Sequence, residues 1–181
     1  MADQLVEILE YDPAWLDRFA DQRGRLSAVL APWLARPVEH VGATSVPGLA
    51  AKPVIDMLAL VHSLGEAQNA VGALEANGWL LWPDDPCRYY RLWFLYPRPA
   101  ARTHHLQVIE DDDLHGVALL AFRDALRADP GLCLEYVRLK KQLAHQHRDN
   151  RNAYSNAKSE FVERVLRRAG VAPPSRDRLP E

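Results

Sequence analysis

Residues 53–61, PVIDMLALV, form an apolar run broken only by Asp56. Its length, its bounding proline and its branched side chains read as a β-strand. A carboxylate inside such a strand costs several kcal/mol if it is buried without a partner. Asp56 therefore has to face a cleft, pair with a cation or bind a metal. Just upstream, the run EHVGATSVPGLAAK offers a second short strand, a glycine, and the small hydrogen-bonding residues Ala43, Thr44 and Ser45. A strand–glycine–helix junction aims backbone N–H groups and a helix dipole at one point, which suits a phosphate oxygen. The same residues also serve a plain tight connection. A P-loop is excluded by spacing: Pro47 stands where the second glycine belongs, and Pro53 follows Lys52 where Ser or Thr is required.

The remaining elements are read in chain order. A short strand is expected over residues 4–10, then an N-cap at Asp12, Pro13 in the first turn and a helix to Pro32 carried by Leu16, Phe19, Leu26 and Leu30. Further strands are expected at 38–41, 54–61, 79–82, 89–96 and 104–109, with a helix over 65–77 stopped by Asn77-Gly78. From residue 114 the pattern is helical: 114–127, 132–147 and 150–169, with Gly170 as the stop. Strands alternating with helices and closing in a hairpin predict an α/β (α+β) mixed β-sheet flanked by helices, with the C-terminal helices packed on it. Residues 1–170 are expected to form one domain and 171–181 a flexible tail.

A chain of 181 residues with 48% hydrophobic residues supports one sizeable core. No apolar run reaches the roughly 20 residues needed to span a bilayer, and residues 1–12 lack the basic flank and apolar stretch of a signal peptide. A cytoplasmic protein with no membrane partner is expected. Cys87 and Cys133 have no C-x-x-C neighbour, which points to structural or free thiols. The net charge of −2 conceals an asymmetry. Residues 1–130 hold 11 Lys+Arg against 18 Asp+Glu, whereas residues 131–170 hold 9 against 4. The basic third serves an anionic ligand or a solvated helix face. A pI near 6.4 argues against nucleic acid as the main partner.

The run HVGATSVPGLAAKPVID closely resembles the signature of the GrpB family, a group of nucleotidyltransferase fold. The resemblance extends from VEILEYDPAWLDRF through YYRLWF and THHLQV to FRDALR, YVRLKKQLA and AYSNAKSEFV, nearly the whole chain. It implies a nucleotidyltransferase-like sheet in which the Gly42 to Ser45 turn grips phosphate and Asp56 holds Mg²⁺ or another divalent cation as the catalytic carboxylate. In such folds a second carboxylate stands two residues on, but this chain has Leu58. Leucine cannot ligate a metal, which puts two-metal transfer in doubt. GrpB-like proteins usually carry His-x-His on the neighbouring strand, whereas this chain has His105 and Gln107. Imidazole is a good ligand and an amide a poor one. Asp56 and His105, with Gln107, are thus a candidate single-metal site or a hydrogen-bonded pair without metal.

The candidate ligand-binding residues are Gly42, Thr44, Ser45, Lys52, Arg91, Tyr136, Lys140, Tyr154 and Lys158. Arg91 is suited to bidentate phosphate binding. Tyr136 with Lys140 and Tyr154 with Lys158 are pairs at i, i+4, each expected on one helix face. The expected ligand is a nucleotide or another phosphorylated metabolite, with nucleotidyl transfer to a small acceptor as the catalytic extension. Two other readings stay open: a non-catalytic ligand-binding or partner-stabilising module, and a metal-dependent hydrolase. Because GrpB-like domains also occur behind dephospho-CoA kinase domains, the resemblance links the module reading to coenzyme A metabolism and a protein partner.

Overall fold

The computed structural model describes residues 5–97 and 101–175. Helix α1, Ala14–Leu30, starts where Asp12 Oδ1 accepts the Ala14 N–H at 2.9 Å. Its inner face carries Trp15, Leu26 and Leu30, all buried. Five strands follow: β1 (Glu39–Val41), β2 (Ile55–Val61), β3 (Leu80–Leu81), β4 (Arg91–Tyr96) and β5 (His104–Glu110). They form one sheet in the order β1-β2-β5-β4-β3. β2 and β5 run parallel, and the other neighbouring pairs antiparallel. The mixed sheet flanked by helices is the architecture expected from the sequence.

β2 is apolar throughout because both of its faces are covered. On one face Ile55, Met57, Ala59 and Val61, with Leu106, Val108 and Phe94, pack against Trp15, Leu26, Leu30 and Leu74. On the other Leu58, Leu60, Val41 and Ile109 pack under Leu119 and Leu120 of helix α4, Leu114–Ala128. Each buried aliphatic side chain contributes about 1.5–3 kcal/mol. The expected helix over 65–77 is built from α2 (Leu64–Ala67), a 3-10 turn at Gln68–Ala70 and α3 (Val71–Ala76). Gly78 then takes φ 85° to end it.

The C-terminal helices are α4, α5 (Pro130–Gln146), α6 (Arg151–Asn156) and α7 (Ser159–Arg168). Asp129 caps α5 by accepting the Leu132 N–H at 3.0 Å, with Pro130 in the first turn. Leu126, Leu132, Tyr136, Phe161 and Val165 cluster with Val46 and Leu49, so these helices pack on the segment that follows Gly42.

Three expectations are corrected. Residues 5–10 form no strand but one bridge, Leu9 to Ala51, because Val6 gives its N–H to Arg148 O at 2.8 Å instead of to a sheet neighbour; Gln4 lies outside the described residues. The helix expected over 150–169 breaks at Ala157 and Lys158. The break lets Tyr154 pack with Val6 and Leu143 while Phe161 packs with Tyr136. Gly42 leads into a three-residue 3-10 turn, Ala43–Ser45, and not into an α-helix. Of the expected tail, residues 176–181 lie outside the described residues. Among the described residues no helix is long and apolar enough to cross a membrane.

Candidate ligand-binding site

The parallel pairing of β2 with β5 sets Asp56 opposite His105 and Leu58 opposite Gln107. Residues at these positions alternate together, so Asp56, His105, Gln107, Trp93 and Arg91 share one face of the sheet. Asp56 Oδ1 lies 2.9 Å from His105 Nδ1. The carboxylate keeps 33% of its side chain exposed and the imidazole 14%, so the pair sits at a lip and not in the core. Burial pushes the Asp56 pKa upward, but the His105 hydrogen bond, the His105 charge and Lys52 outweigh it and hold the carboxyl below its ordinary value. For His105, burial lowers the pKa and the contact with Asp56 only partly offsets that. The pair is accordingly a carboxylate with a neutral imidazole.

An ionised carboxylate only accepts, so His105 Nδ1 carries the proton and donates to Asp56. Nε2 is then a bare acceptor, buried and without a hydrogen-bond partner among the described residues. Trp93 meets the same ring edge-on, at 5.4 Å between centroids.

Gly42 roofs this pair. Its φ of 71° and ψ of −175° belong to a region open essentially to glycine alone, and a Cβ there would overlap Asp56 Oδ2. Thr44 and Ser45 hold the turn and are themselves buried. The Ser45 hydroxyl donates to Gly42 O at 2.6 Å, and that of Thr44 to Val54 O at 3.2 Å. From behind, Arg127 donates to Ser45 O through Nε at 3.1 Å and Nη2 at 2.8 Å.

The lysines converge on the same end of the sheet. Lys52 lies close enough to act electrostatically on both Asp56 and His105. Its ammonium is 5.1 Å from the centre of the Tyr154 ring, and that of Lys158 is 4.1 Å from it. Lys158 thus keeps its contact with Tyr154 although the helix breaks between them. Lys140 is almost fully buried: its ammonium donates to Ala50 O and lies 4.6 Å from the Tyr136 ring centre. Burial lowers its pKa to about 7. Tyr136 stacks on Phe161 at 4.9 Å, and Tyr154 is buried as well, so both rings serve the helical core.

Arg91 faces the cleft but is held. Its Nε and Nη2 grip Asp85 at 2.8 and 2.9 Å, and Nη1 donates to Gln107 Oε1 at 2.7 Å. Gln107 therefore turns its oxygen to Arg91, away from a ligand's service. Asp85, in the loop sequence WPDDPCRYY, was not a candidate from the sequence; an acidic residue between prolines before a strand arginine is the signal that could have found it. Trp93 also was not singled out, although two residues from Arg91 on a strand means the same face.

Metal fit follows from this donor set. Leu58 is fully buried and aliphatic, and Gln107 is engaged by Arg91. Among the described residues no three His, Cys, Asp or Glu side chains gather to hold a metal ion. Asp56 and His105 do not fit a two-metal site. The two thiols are free, Cys87 buried and Cys133 donating to Leu126 O at 2.9 Å.

The GrpB protein family matches residues 5–168. The chain belongs to the GrpB family. A GrpB protein of Enterococcus faecalis has a crystal structure that superposes with a TM-score of 0.81, at 33% identity over 90% of this chain and 96% of that one. Similar curated relatives include a UPF0157 protein of Pseudomonas aeruginosa, 38% identical over 94% of this chain and 70% of its own length. The UPF0157 protein YqkA of Bacillus subtilis is 36% identical over 87% of this chain, which spans 45% of that protein. A dephospho-CoA kinase of Mycolicibacterium paratuberculosis is 28% identical over 91% of this chain, covering 46% of the kinase.

Proposed function

We propose that this GrpB-family chain binds the phosphate groups of a nucleotide or another phosphorylated metabolite in the cleft beside Asp56. The observation that carries the reading is the Asp56–His105 pair lying beneath the Gly42 turn with Lys52 beside it. Lys52 and Lys158 supply charge for the anion, and the exposed edge of Asp56 faces the same space. Arg91, locked by Asp85, contributes field and shape more than a free fork. The similarity to a dephospho-CoA kinase makes coenzyme A and its precursors natural members of the ligand panel.

The chemistry these side chains support unaided is proton abstraction. His105 Nδ1–H orients the Asp56 carboxylate, whose exposed edge is the group placed to take a proton from an acceptor hydroxyl, since His105 Nε2 is buried. Leu58 in the second carboxylate position favours a second reading, in which the fold is kept as a binding module without turnover.

Titration of nucleoside triphosphates and coenzyme A precursors, with and without Mg²⁺, tests the proposal. A ligand present at 100 times its Kd should stabilise the protein by about 2.7 kcal/mol. Lys52→Ala should weaken binding about tenfold or more, as expected for loss of one charged hydrogen bond. Asp56→Asn should leave affinity equal or higher, since it removes a negative charge beside an anion. Mg²⁺-dependent pyrophosphate release that disappears in Asp56→Asn would establish the transferase. No stabilisation by any phosphorylated ligand would sink the reading.

A further inference from the structure

A second concavity lies at the outer edge of the sheet, between α1, β1 and α4. Its volume is about 180 Å³, and its charged and aromatic lining comprises Phe19, Arg23, Glu39, His40, Arg123 and Arg127. It does not include Asp56, His105 or Lys52. At that size it falls below the roughly 300 Å³ of an ordinary metabolite pocket, so it suits a small ion and not a whole nucleotide.

Three arginines converge there, and their engagements differ. Arg123 is neutralised: Nη1 bonds Glu39 at 2.7 Å and His40 O at 3.1 Å, and Nε bonds Asp124 at 2.7 Å. It closes the open edge of β1 and uses up the one carboxylate in the lining. Arg127 spends Nε and Nη2 on Ser45 O, while its Nη1 stands 4.0 Å from Asp124, beyond hydrogen-bond reach. Burial, and then the neighbouring Arg123, make its charge harder to hold. Among the described residues Arg23 makes no hydrogen bond or ion pair. Two guanidiniums are left with donors to offer.

His40 supplies an independent observation. It lines the cavity, is 5% exposed, and stacks on Phe19 at 4.6 Å. The Thr44 hydroxyl gives its proton to Val54 O, so the 3.0 Å contact with His40 has Nε2–H as donor. Nδ1 is then an acceptor, and it has no partner among the described residues. Burial lowers the His40 pKa to about 4, which keeps that acceptor bare at neutral pH. The cavity therefore presents guanidinium donors together with one unused acceptor. That combination matches an oxyanion bearing an O–H group.

We propose that the cavity at the β1 edge binds a protonated oxyanion of the hydrogenphosphate type, with Arg23 and Arg127 donating to its charged oxygens and its hydroxyl donating to His40 Nδ1. The ion is free hydrogenphosphate; a phosphate monoester, with its second pKa at about 6, is mostly a dianion at neutral pH and has no P–OH to donate. Sulfate has the same shape and charge but no proton to donate at neutral pH, so it lacks the third contact.

Calorimetric titration at constant ionic strength separates the outcomes. Inorganic phosphate should bind the intact chain, and sulfate at least tenfold more weakly. Arg23→Ala, on an exposed helix position without internal partners, should weaken phosphate at least tenfold while leaving the melting temperature in phosphate-free buffer unchanged. In NMR the His40 ring should shift with phosphate in wild type and not in Arg23→Ala, which assigns the event to this cavity and not to the Asp56 cleft. Glycerol phosphate, which lacks a P–OH at neutral pH, should bind as weakly as sulfate; binding as tight as that of inorganic phosphate would overturn the His40 contact. Equal binding of sulfate, or a phosphate event that shifts the His105 ring, leaves the His40 ring in place and is kept in Arg23→Ala, would overturn the proposal.

Discussion

Gly42 is where one residue's backbone decides the geometry of the candidate site. Its φ of 71° and ψ of −175° exclude other residues on steric grounds, and the missing side chain leaves room for Asp56, whose Cβ and Cγ would stand 3.0 Å from an added Cβ. Gly42→Ala is expected to lower stability by about 1–3 kcal/mol, the usual cost of such a conformation. It should also displace the carboxylate from His105. Urea denaturation measures the first effect, and the pH titration of the His105 ring by NMR the second. An alanine variant as stable as wild type with an unchanged imidazole would mean that the turn relaxes without touching Asp56.

Helix α1 shows the opposite case at the scale of an element. Gly24 lies in the interior of Ala14–Leu30, where a Cβ would meet nothing within 4 Å and no unusual backbone angle is required. Glycine there costs helix stability without return, so Gly24→Ala should stabilise by about 0.5–1 kcal/mol. A rise in the denaturation midpoint with an unchanged slope is the expected result. Strands β2 and β5 differ from α1 in that their meaning is not local. The period-two pattern sets Asp56 apart from Met57 within β2, but the partner of Asp56 is fixed by the register with His105, 49 residues on.

At the scale of the whole molecule, the C-terminal helices join the sheet through a buried charge. Lys140 reaches from α5 to Ala50 O, and its pKa falls from 10.5 to about 7 because burial disfavours the ammonium. Between those values the unfolded chain binds more protons than the folded one, so stability rises with pH. This contribution is fully present above about pH 10.5 and lost as pH falls through about 7. Lys140→Met, which keeps the stem and removes the charge, should flatten the stability profile from pH 7 to 10 in guanidinium titrations. A profile as steep as that of wild type would assign the dependence to another group.

The sequence alone determined the five strands of the sheet, though not that residues 5–10 stay outside it, the helix stops at Gly78 and Gly170, the bend at Gly42 and the need for a partner at Asp56. Each of these follows from interactions within a few residues: side-chain alternation, proline and glycine geometry, and the cost of an unpaired carboxylate in an apolar run. It also placed the chain by resemblance in the family that the comparisons show. Only the tertiary structure decided that the partner of Asp56 is a neutral His105, that Asp85 and Gln107 hold Arg91, and that Tyr136, Tyr154 and Lys140 turn inward. The same holds for the break at Ala157, where two core clusters pull one helical pattern in two directions. These outcomes depend on strand order and on helices packing across the sheet, which bring together groups far apart in the chain and set the solvent exposure that fixes their charge.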